Sequence, residues 1–203
     1  MKKISESQAN IGPVRLSYLN VFKARANDLK NGAKEFSVTL LFPKDNCDEQ
    51  PNAKEEIAAV RKLLKDAVFA KWGENPPAKL RNPIRDGDDE VDAQGEPKAP
   101  GYYFLNVSAK EEYPPLLIDG SRKVVTGGWQ SGDWGIVQVS VFAYDTRGNR
   151  GVSAGLRAIQ FISHGDSLGG GGSVTPDSFD EVAKPAGATS GSPSDDYDPF
   201  ADE

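Results

Sequence analysis

Aromatic rings and cationic side chains recur together along this chain, and that combination can hold a single-stranded nucleic acid. Bases stack on aromatic faces, at roughly 1–3 kcal/mol each, while Lys and Arg follow the phosphates. The candidates for base stacking are Tyr102, Tyr103, Phe104 and Trp129. The candidates for phosphate contacts are Lys79, Arg81, Arg85, Arg122, Lys123, Arg147 and Arg150. Three adjacent aromatics on one strand cannot all face the core, so we expect at least one to face outward.

A second set of side chains, the acids between Asp86 and Asp92, has the chemistry to bind a divalent cation. Paired carboxylates around magnesium would suit a metal-dependent nuclease or resolvase. Such enzymes gather carboxylates from separate rigid elements, whereas these acids lie close together in a loop rich in Pro and Gly. A calcium loop is excluded because Val91 and Pro97 stand where the turn Gly and the bidentate Glu are required. We therefore favour a solvated acidic loop, and we expect no metal, no cofactor and no catalysis.

The single Cys and the single His limit the classes of protein further. Cys47 cannot form a disulfide within the chain, and a Cys/His zinc site would lack ligands. A catalytic triad would need a buried, oriented imidazole, whereas His164 lies beside a Gly-rich segment and is expected to be solvated. No apolar run approaches the roughly 20 residues that span a bilayer. We expect a cytoplasmic protein that has no membrane partner.

Alternating apolar and polar residues predict strands with one buried face. Strand character occurs at residues 14–22, 36–42, 102–110, 116–118, 136–144 and 152–162, and the last of these segments could instead contain one helical turn around Leu156 and Ile159. In the first of these, Tyr18 is expected on the same buried face as Val14 and Leu16. Four further aromatics are expected in the core, namely Phe36, Phe42, Phe142 and Phe161.

One helix is predicted between Asn52 and Gly73. Asn52 suits the N-cap with Glu55 in a capping box, and Gly73 suits the stop. The Pro-rich residues 74–101 predict a long irregular loop. Many short strands with one helix and long loops indicate a mainly β fold, a small and partly open barrel of about five strands. An α+β sandwich is the alternative.

Charge divides the chain into a body, residues 1–165, and a tail, residues 166–203. The tail holds nine Asp/Glu and one Lys, while the body holds 21 Asp/Glu and 23 Lys/Arg. The Gly/Ser/Asp-rich tail is expected to be disordered, and its acidic end suits a basic pocket with an apolar floor. The candidate partner-binding residues are Asp195, Asp196, Tyr197, Asp198 and Phe200. The tail can also fold back onto the basic groove of the body and compete with DNA.

The chain resembles the phage-encoded single-stranded-DNA-binding proteins over nearly its whole length. Residues 135–161, GIVQVSVFAYDTRGNRGVSAGLRAIQF, are similar to the final hairpin of that family. Residues 195–200 resemble the acidic tip, with Pro-Phe, that phage and bacterial single-strand binders share. The resemblance implies a single oligonucleotide-binding fold (OB fold), single-stranded DNA as the ligand, and a tail that recruits replication or recombination enzymes. It identifies no individual base-stacking residue.

One departure concerns the tail, because Ala201, Asp202 and Glu203 follow Phe200, whereas in bacterial single-strand binders the Phe is terminal. We therefore expect a phage-specific partner. The predicted function is sequence-independent binding and protection of single-stranded DNA during phage replication, recombination or repair, in the host cytoplasm. The alternatives are the metal-dependent nuclease and an adaptor that does not bind DNA. The sequence leaves the oligomeric state open, and a homodimer is one candidate.

Overall fold

Strands form most of the regular structure in the computed structural model, which describes residues 1–27, 31–92, 94–146 and 148–168. The elements are β1 (Lys2–Lys3), β2 (Gln8–Asn27), β3 (Ala33–Pro43), α1 (Ala53–Trp72), β4 (Ile84–Asp86), β5 (Tyr102–Lys110), β6 (Leu116–Ile118), β7 (Trp134–Thr146) and β8 (Asn149–Ser163). The predicted strands and the predicted helix are confirmed, and β1 and β4 are additional.

Five strands close into a barrel. The antiparallel pairs β2–β3, β3–β5, β2–β7 and β7–β8 form a continuous sheet, and β5 meets β8 in parallel at Ser108 and Gly155. This is the five-stranded Greek-key barrel of the OB fold, in which β2, β3, β5, β7 and β8 are barrel strands one to five. The predicted barrel is confirmed, and the β5–β8 pairing closes it.

Alternate residues of the strands fill the barrel. Val38 lies opposite Val107 and Leu40 lies opposite Leu105 across the β3–β5 ladder, and all four are at most 1% exposed. Burying one such side chain contributes roughly 1.5–3 kcal/mol. The strand periodicity in the sequence therefore identifies the inner face of these two strands correctly.

A bulge in β2 changes which residues face the core. The register against β3 shifts between Ser17 and Asn20, so an extra residue interrupts the alternation. Tyr18 lies in this bulge with a φ of 47°, which is rare for a bulky residue, and it is 67% exposed. The prediction that Tyr18 shares the buried face of Val14 and Leu16 is wrong for this reason.

Phe142 also differs from its prediction. Val137, Val139 and Val141 of β7 face the core. Alternation along the strand therefore turns the even-numbered residues outward, and Phe142 is 51% exposed. The prediction of a core position is wrong for Phe142 and correct for Phe42, which is completely buried. Phe36 and Phe161 are half-buried.

Helix α1 packs its apolar face on the barrel core through Ile57, Val60 and Leu64. Its predicted ends are confirmed, but the Asn52 side chain makes no capping hydrogen bond, so the predicted capping box with Glu55 is wrong. Among the described residues, no helix is long and apolar enough to cross a membrane.

Residues 74–101, predicted to be an irregular loop, are held by backbone pairing. β4 pairs with β5, with Ile84 opposite Leu105, and Arg81 bridges Gly151 of β8 in parallel. Residues 79–85, the seam segment, therefore connect β5 and β8 near the start of both strands. The predicted irregular loop is confirmed for most of these residues, but the prediction missed β4 and the Arg81 bridge, because both pair with residues distant in sequence.

The following residues form the acidic loop, residues 86–101, and the described part of this loop, residues 86–92 and 94–101, folds back onto the outer face of the barrel. Ala99 from this loop packs against Leu41 of β3 and Phe104 of β5 in a small cluster separate from the main core. The Gly87 amide donates to the Tyr102 carbonyl at 2.8 Å. A Cβ at Gly87 would lie 2.1 Å from the Ala99 carbonyl oxygen, so this contact leaves no room for a side chain.

We expect Gly87→Ala to destabilise the protein by roughly 1–3 kcal/mol, because the added methyl must displace backbone atoms of the acidic loop. The free energy of unfolding in urea measures the effect. Gly127→Ala is the matched control, since a Cβ there has no neighbour within 4 Å. We expect it to change stability by less than about 0.5 kcal/mol. Equal effects of the two substitutions would contradict the tight packing of the loop.

Candidate nucleic-acid interface

The structure divides the predicted site residues into two groups along β8. The seam group contains Lys79, Arg81, Arg85, Arg150, Tyr102, Tyr103 and Phe104, around the seam segment and the starts of β5 and β8. The loop group contains Arg122, Lys123 and Trp129, between β6 and β7. Arg81 pairs with β8 at residue 151 and β6 pairs with it at residues 158–160, so about 23 Å of strand separates the two attachments. Arg147 and the tail candidates lie outside the described residues.

Arg81 and Arg150 are brought side by side by their main chains. The Arg81 amide donates to the Arg150 carbonyl at 2.9 Å, and the Val152 amide donates to the Arg81 carbonyl at 3.2 Å. Lys79 lies two residues before Arg81 on the seam segment. Lys79 and Arg81 are exposed, and in the part of the chain that the structure describes neither has an ion-pair partner. Two segments far apart in sequence therefore place positive charge at one edge of the barrel.

The other two cations of the seam group are paired. The Arg85 Nη1 atom lies 3.5 Å from the Glu90 carboxylate, and the Arg150 Nε atom lies 2.8 Å from the Asp145 carboxylate. The Arg85 guanidinium also lies 5.8 Å from the centre of the Phe104 ring. Exposed pairs of this kind contribute little to stability, so both arginines can exchange a carboxylate for another anion at low cost.

The aromatic candidates of the seam group are all engaged in packing. Phe104 is 6% exposed in the cluster under the acidic loop, and Tyr102 lies half-buried at the edge of that cluster. Tyr103 packs against the main core, with the Lys44 ammonium 5.2 Å and the Arg61 guanidinium 4.5 Å from its ring centre. The structure thus shows Phe104 buried and Tyr103 between cations, and only Tyr102 and Tyr103 keep partial exposure.

Trp129 belongs to a cluster of four rings at the other end of the barrel. It stacks on Phe161, with ring centres 5.7 Å apart, and meets Phe22 edge-on at 5.4 Å. His164 lies against Phe161 and its Nδ1 is 3.1 Å from a carboxylate oxygen of the fully buried Asp133. Trp129 is therefore held in place while it remains half-exposed, and His164 is exposed as predicted but oriented by a partner.

The structure adds residues that the sequence did not single out. Tyr18 and Phe142 present exposed rings, and Lys44 contributes a cation near Tyr103. The outward position of Phe142 could have been predicted from the sequence, because the buried valines at 137, 139 and 141 place even-numbered residues of β7 on the outer face. The bulge that exposes Tyr18 leaves no local signal, because it depends on pairing with β3.

Lys44 fastens the acidic loop. Its ammonium lies 2.5 Å from Asp86 and 2.6 Å from Asp88, and Asp88 also accepts a hydrogen bond from the Gly101 amide at 2.7 Å. Hydrogen bonds from Lys44 hold the pKa of both carboxyls below the ordinary range, and they raise the pKa of Lys44. We call these three side chains the Lys44 clamp. All three are charged at neutral pH.

The clamp also bears on the nuclease hypothesis. Two acids of the Asp86–Asp92 cluster are bound to an ammonium instead of facing a common open point. Among the described residues, no group of three His, Cys, Asp or Glu side chains is arranged to hold a metal ion. The acidic cluster therefore has a structural partner within the chain.

We expect the stabilising effect of the Lys44 clamp to depend on pH. Because the folded-state pKa values of Asp86 and Asp88 lie below their unfolded values of about 3.9, the clamp stabilises above that pH and the effect is lost as pH falls through the folded values. Lys44→Met should lower the urea midpoint at pH 7, and the difference from wild type should shrink towards pH 2.

The control for this experiment is Lys79→Met, which removes an exposed lysine without an ion pair in the described part of the chain. Its urea midpoint should follow that of the wild type at every pH. A Lys44→Met deficit that stays constant from pH 7 to pH 2 would show that the loss is one of packing, and not of charge.

Comparisons with known proteins agree with the fold and extend over most of the chain. The sequence model of the family described as "Enterobacter phage Enc34, ssDNA-binding protein" matches residues 7–189. The chain is 32% identical over 183 residues to "Putative protein p50" of Acyrthosiphon pisum secondary endosymbiont phage 1, covering 84% of this chain and 91% of that relative.

Solved structures share the architecture at low sequence identity. The single-stranded DNA-binding protein from bacteriophage Enc34, solved in complex with ssDNA, superposes with a TM-score of 0.61 at 18% identity, over 83% of this chain and 97% of that one. The bacteriophage T7 protein gp2.5, a single-stranded DNA binding protein, gives 0.52 at 15% identity, over 87% and 97%. The family match spans far more than half of the sequence, and this chain belongs to the family of the phage Enc34 ssDNA-binding protein.

Proposed function

We propose that this protein binds single-stranded DNA without regard to sequence and protects it. The observation that carries the proposal is the family membership over residues 7–189. The proposed role is that of a non-catalytic coat on exposed strands during phage replication, recombination or repair, in the cytoplasm of the host.

The position of the seam group supports a ligand face on this side of the barrel. OB folds bind oligonucleotides on the face of barrel strands two and three and at the loops after strands one and four. Here those strands are β3 and β5, and the loop after strand four joins β7 to β8. Arg81, Arg85 and Arg150 lie beside β5 or this loop, and we assign them, with Lys79, to phosphate contacts.

The loop group, Arg122 and Lys123 with Trp129, is proposed as a second contact on the same strand of DNA. Trp129 and Tyr102 are our candidates for base stacking, together with the exposed rings of Tyr18 and Phe142. Tyr103 and Phe104 are proposed to act indirectly, because their rings lie under the cations of Lys44, Arg61 and Arg85. Arg147 remains a proposed phosphate contact by its place in the hairpin loop.

The charge of the body predicts how this binding depends on salt. Residues 1–165 carry 23 Lys/Arg against 21 Asp/Glu, and several described cations are already paired. Each phosphate contact to a single strand adds about 0.7 to the slope of log affinity against log salt. Because acids nearly balance cations in the body, the slope should be modest in size and the affinity should fall steadily as salt is added.

For the tail we propose a separate task, the recruitment of replication or recombination enzymes. Asp195, Asp196, Tyr197, Asp198 and Phe200 combine carboxylates with two rings, which suits a basic pocket with an apolar floor. A pure adaptor that ignores DNA is the second candidate function. Lys79 and Arg81, which have no ion-pair partner among the described residues, favour the DNA-binding proposal over the adaptor.

Titration of labelled oligo-dT and of a duplex of equal length, at several salt concentrations, tests the function. We expect tighter binding of the single strand at low salt. Arg81→Gln should weaken binding and lower the salt slope by about 0.7, since one phosphate contact is lost. Lys65→Gln, an exposed position on α1, is the charge-matched control and should keep the wild-type slope. Equal affinity for the two DNA forms would overturn the proposal.

Deletion of residues 195–203 should tighten DNA binding several-fold at low salt, because five acids no longer compete with phosphate for the body. The gain should vanish as salt rises. The double variant Tyr197→Ala and Phe200→Ala keeps every charge, so we expect it to leave DNA affinity unchanged while it weakens capture of a partner enzyme. Equal DNA affinity of the deleted and full-length chains would count against competition by the tail.

A further inference from the structure

The acidic loop contains two sets of ion pairs with different geometry. The Lys44 clamp has short contacts of 2.5 and 2.6 Å. Glu90, by contrast, lies 3.5 Å from both the Arg85 Nη1 and the Lys98 Nζ atoms. These three side chains are between 35% and 46% exposed, so water reaches all of them. The short pairs of the Lys44 clamp hold the acidic loop in place. The longer pairs of Glu90 are weak enough for another anion to replace its carboxylate.

Both cations of the second set converge on one atom, the Glu90 Oε2 oxygen. Arg85 is positioned by two contacts with Phe104. Its backbone in β4 pairs opposite that residue, and its guanidinium lies over the ring. Lys98 is positioned by its own main chain, whose amide donates to the Glu90 carbonyl at 2.8 Å. An arginine and a lysine that share one anionic oxygen can also bind a phosphate oxygen in its place.

We propose that Arg85 and Lys98 form a phosphodiester site, which Glu90 occupies in the free protein and leaves when single-stranded DNA binds. This inference rests on the proposed function and assigns Lys98 and Glu90 a part in it. The chemistry favours exchange, because the guanidinium fork binds two phosphate oxygens, whereas it meets Glu90 through one long contact. Glu90 keeps the two cations apart and oriented until the phosphate arrives.

A structural role for the Glu90 pairs is the competing explanation. The acidic loop is already held by the Lys44 clamp, by the hydrogen bond between the Gly87 amide and the Tyr102 carbonyl, and by the packing of Ala99. Exposed pairs at 3.5 Å add little to such a scaffold. Their position next to β5, on the proposed ligand face, is better explained by binding.

The test compares Glu90→Gln with Asp89→Asn in the full-length chain, with oligo-dT as the probe. Both variants remove one negative charge from the same loop, but Asp89 is exposed and has no partner among the described residues. We expect Glu90→Gln to tighten binding at low salt at least about threefold more than Asp89→Asn, because it alone frees two cations. Arg85→Gln and Lys98→Gln should each lower the salt slope by about 0.7.

A double variant separates exchange from a loosened loop. In the Lys98→Gln background, the gain in oligo-dT affinity from Glu90→Gln should shrink, because only one cation remains to be freed. A gain in affinity that does not depend on Lys98 would overturn the inference.

Equal affinities of Glu90→Gln and Asp89→Asn would also overturn the inference, while the proposed function would stand. A wild-type chain that does not prefer oligo-dT to duplex would overturn both the inference and the proposed function. Urea midpoints of all variants are expected to stay at the wild-type value, and a fall in Glu90→Gln would indicate the structural role instead.

Discussion

The parallel approach of β5 and β8 is the constraint on which this structure depends. The two strands pair at one described position, Ser108 with Gly155, and below it residues 81–86 pair with each of them in turn. Unpaired backbone groups inside a barrel wall would be costly, so the seam segment completes the hydrogen bonding that two parallel strands leave open. The same segment carries Arg81 and Arg85, and it delivers the acidic loop to the outer face of β5. The same backbone pairing therefore closes the barrel and positions the two arginines.

Charge balance on that face follows from this placement. The acidic loop must return across β3 and β5 to reach Tyr102, and it brings Asp86, Asp88 and Glu90 beside Lys44 and Arg85. The short contacts of Lys44 fix the loop, while the long contacts of Glu90 leave Arg85 within reach of solvent. A body with nearly equal numbers of acids and bases can thus still present positive charge locally, and it is compatible with a polyanionic ligand.

Much of the barrel could be predicted from the sequence, because alternation is a local property. The inner residues of β3, β5 and β7 follow it, and the helix ends follow from residues such as Gly73. The rest depends on pairing between distant residues. The bulge at Tyr18, the seam segment and the approach of Arg81 to Arg150 all arise from registers that no local pattern encodes. The site follows less directly from the sequence than the fold does, since Phe104 is of a residue type that can stack on bases but is 6% exposed.

The separation of the two candidate groups argues for an unpaired ligand. About 23 Å of β8 lies between the attachment of Arg81 and that of β6, and the barrel surface curves over this distance. Duplex DNA, with a persistence length of about 50 nm, resists following such a surface and keeps its bases inside the helix, away from rings such as Trp129. A single strand bends freely, exposes its bases and can meet the seam cations and the ring cluster in succession. In the proposed function, selectivity for single strands would come from the curvature of the barrel and the spacing of its contacts.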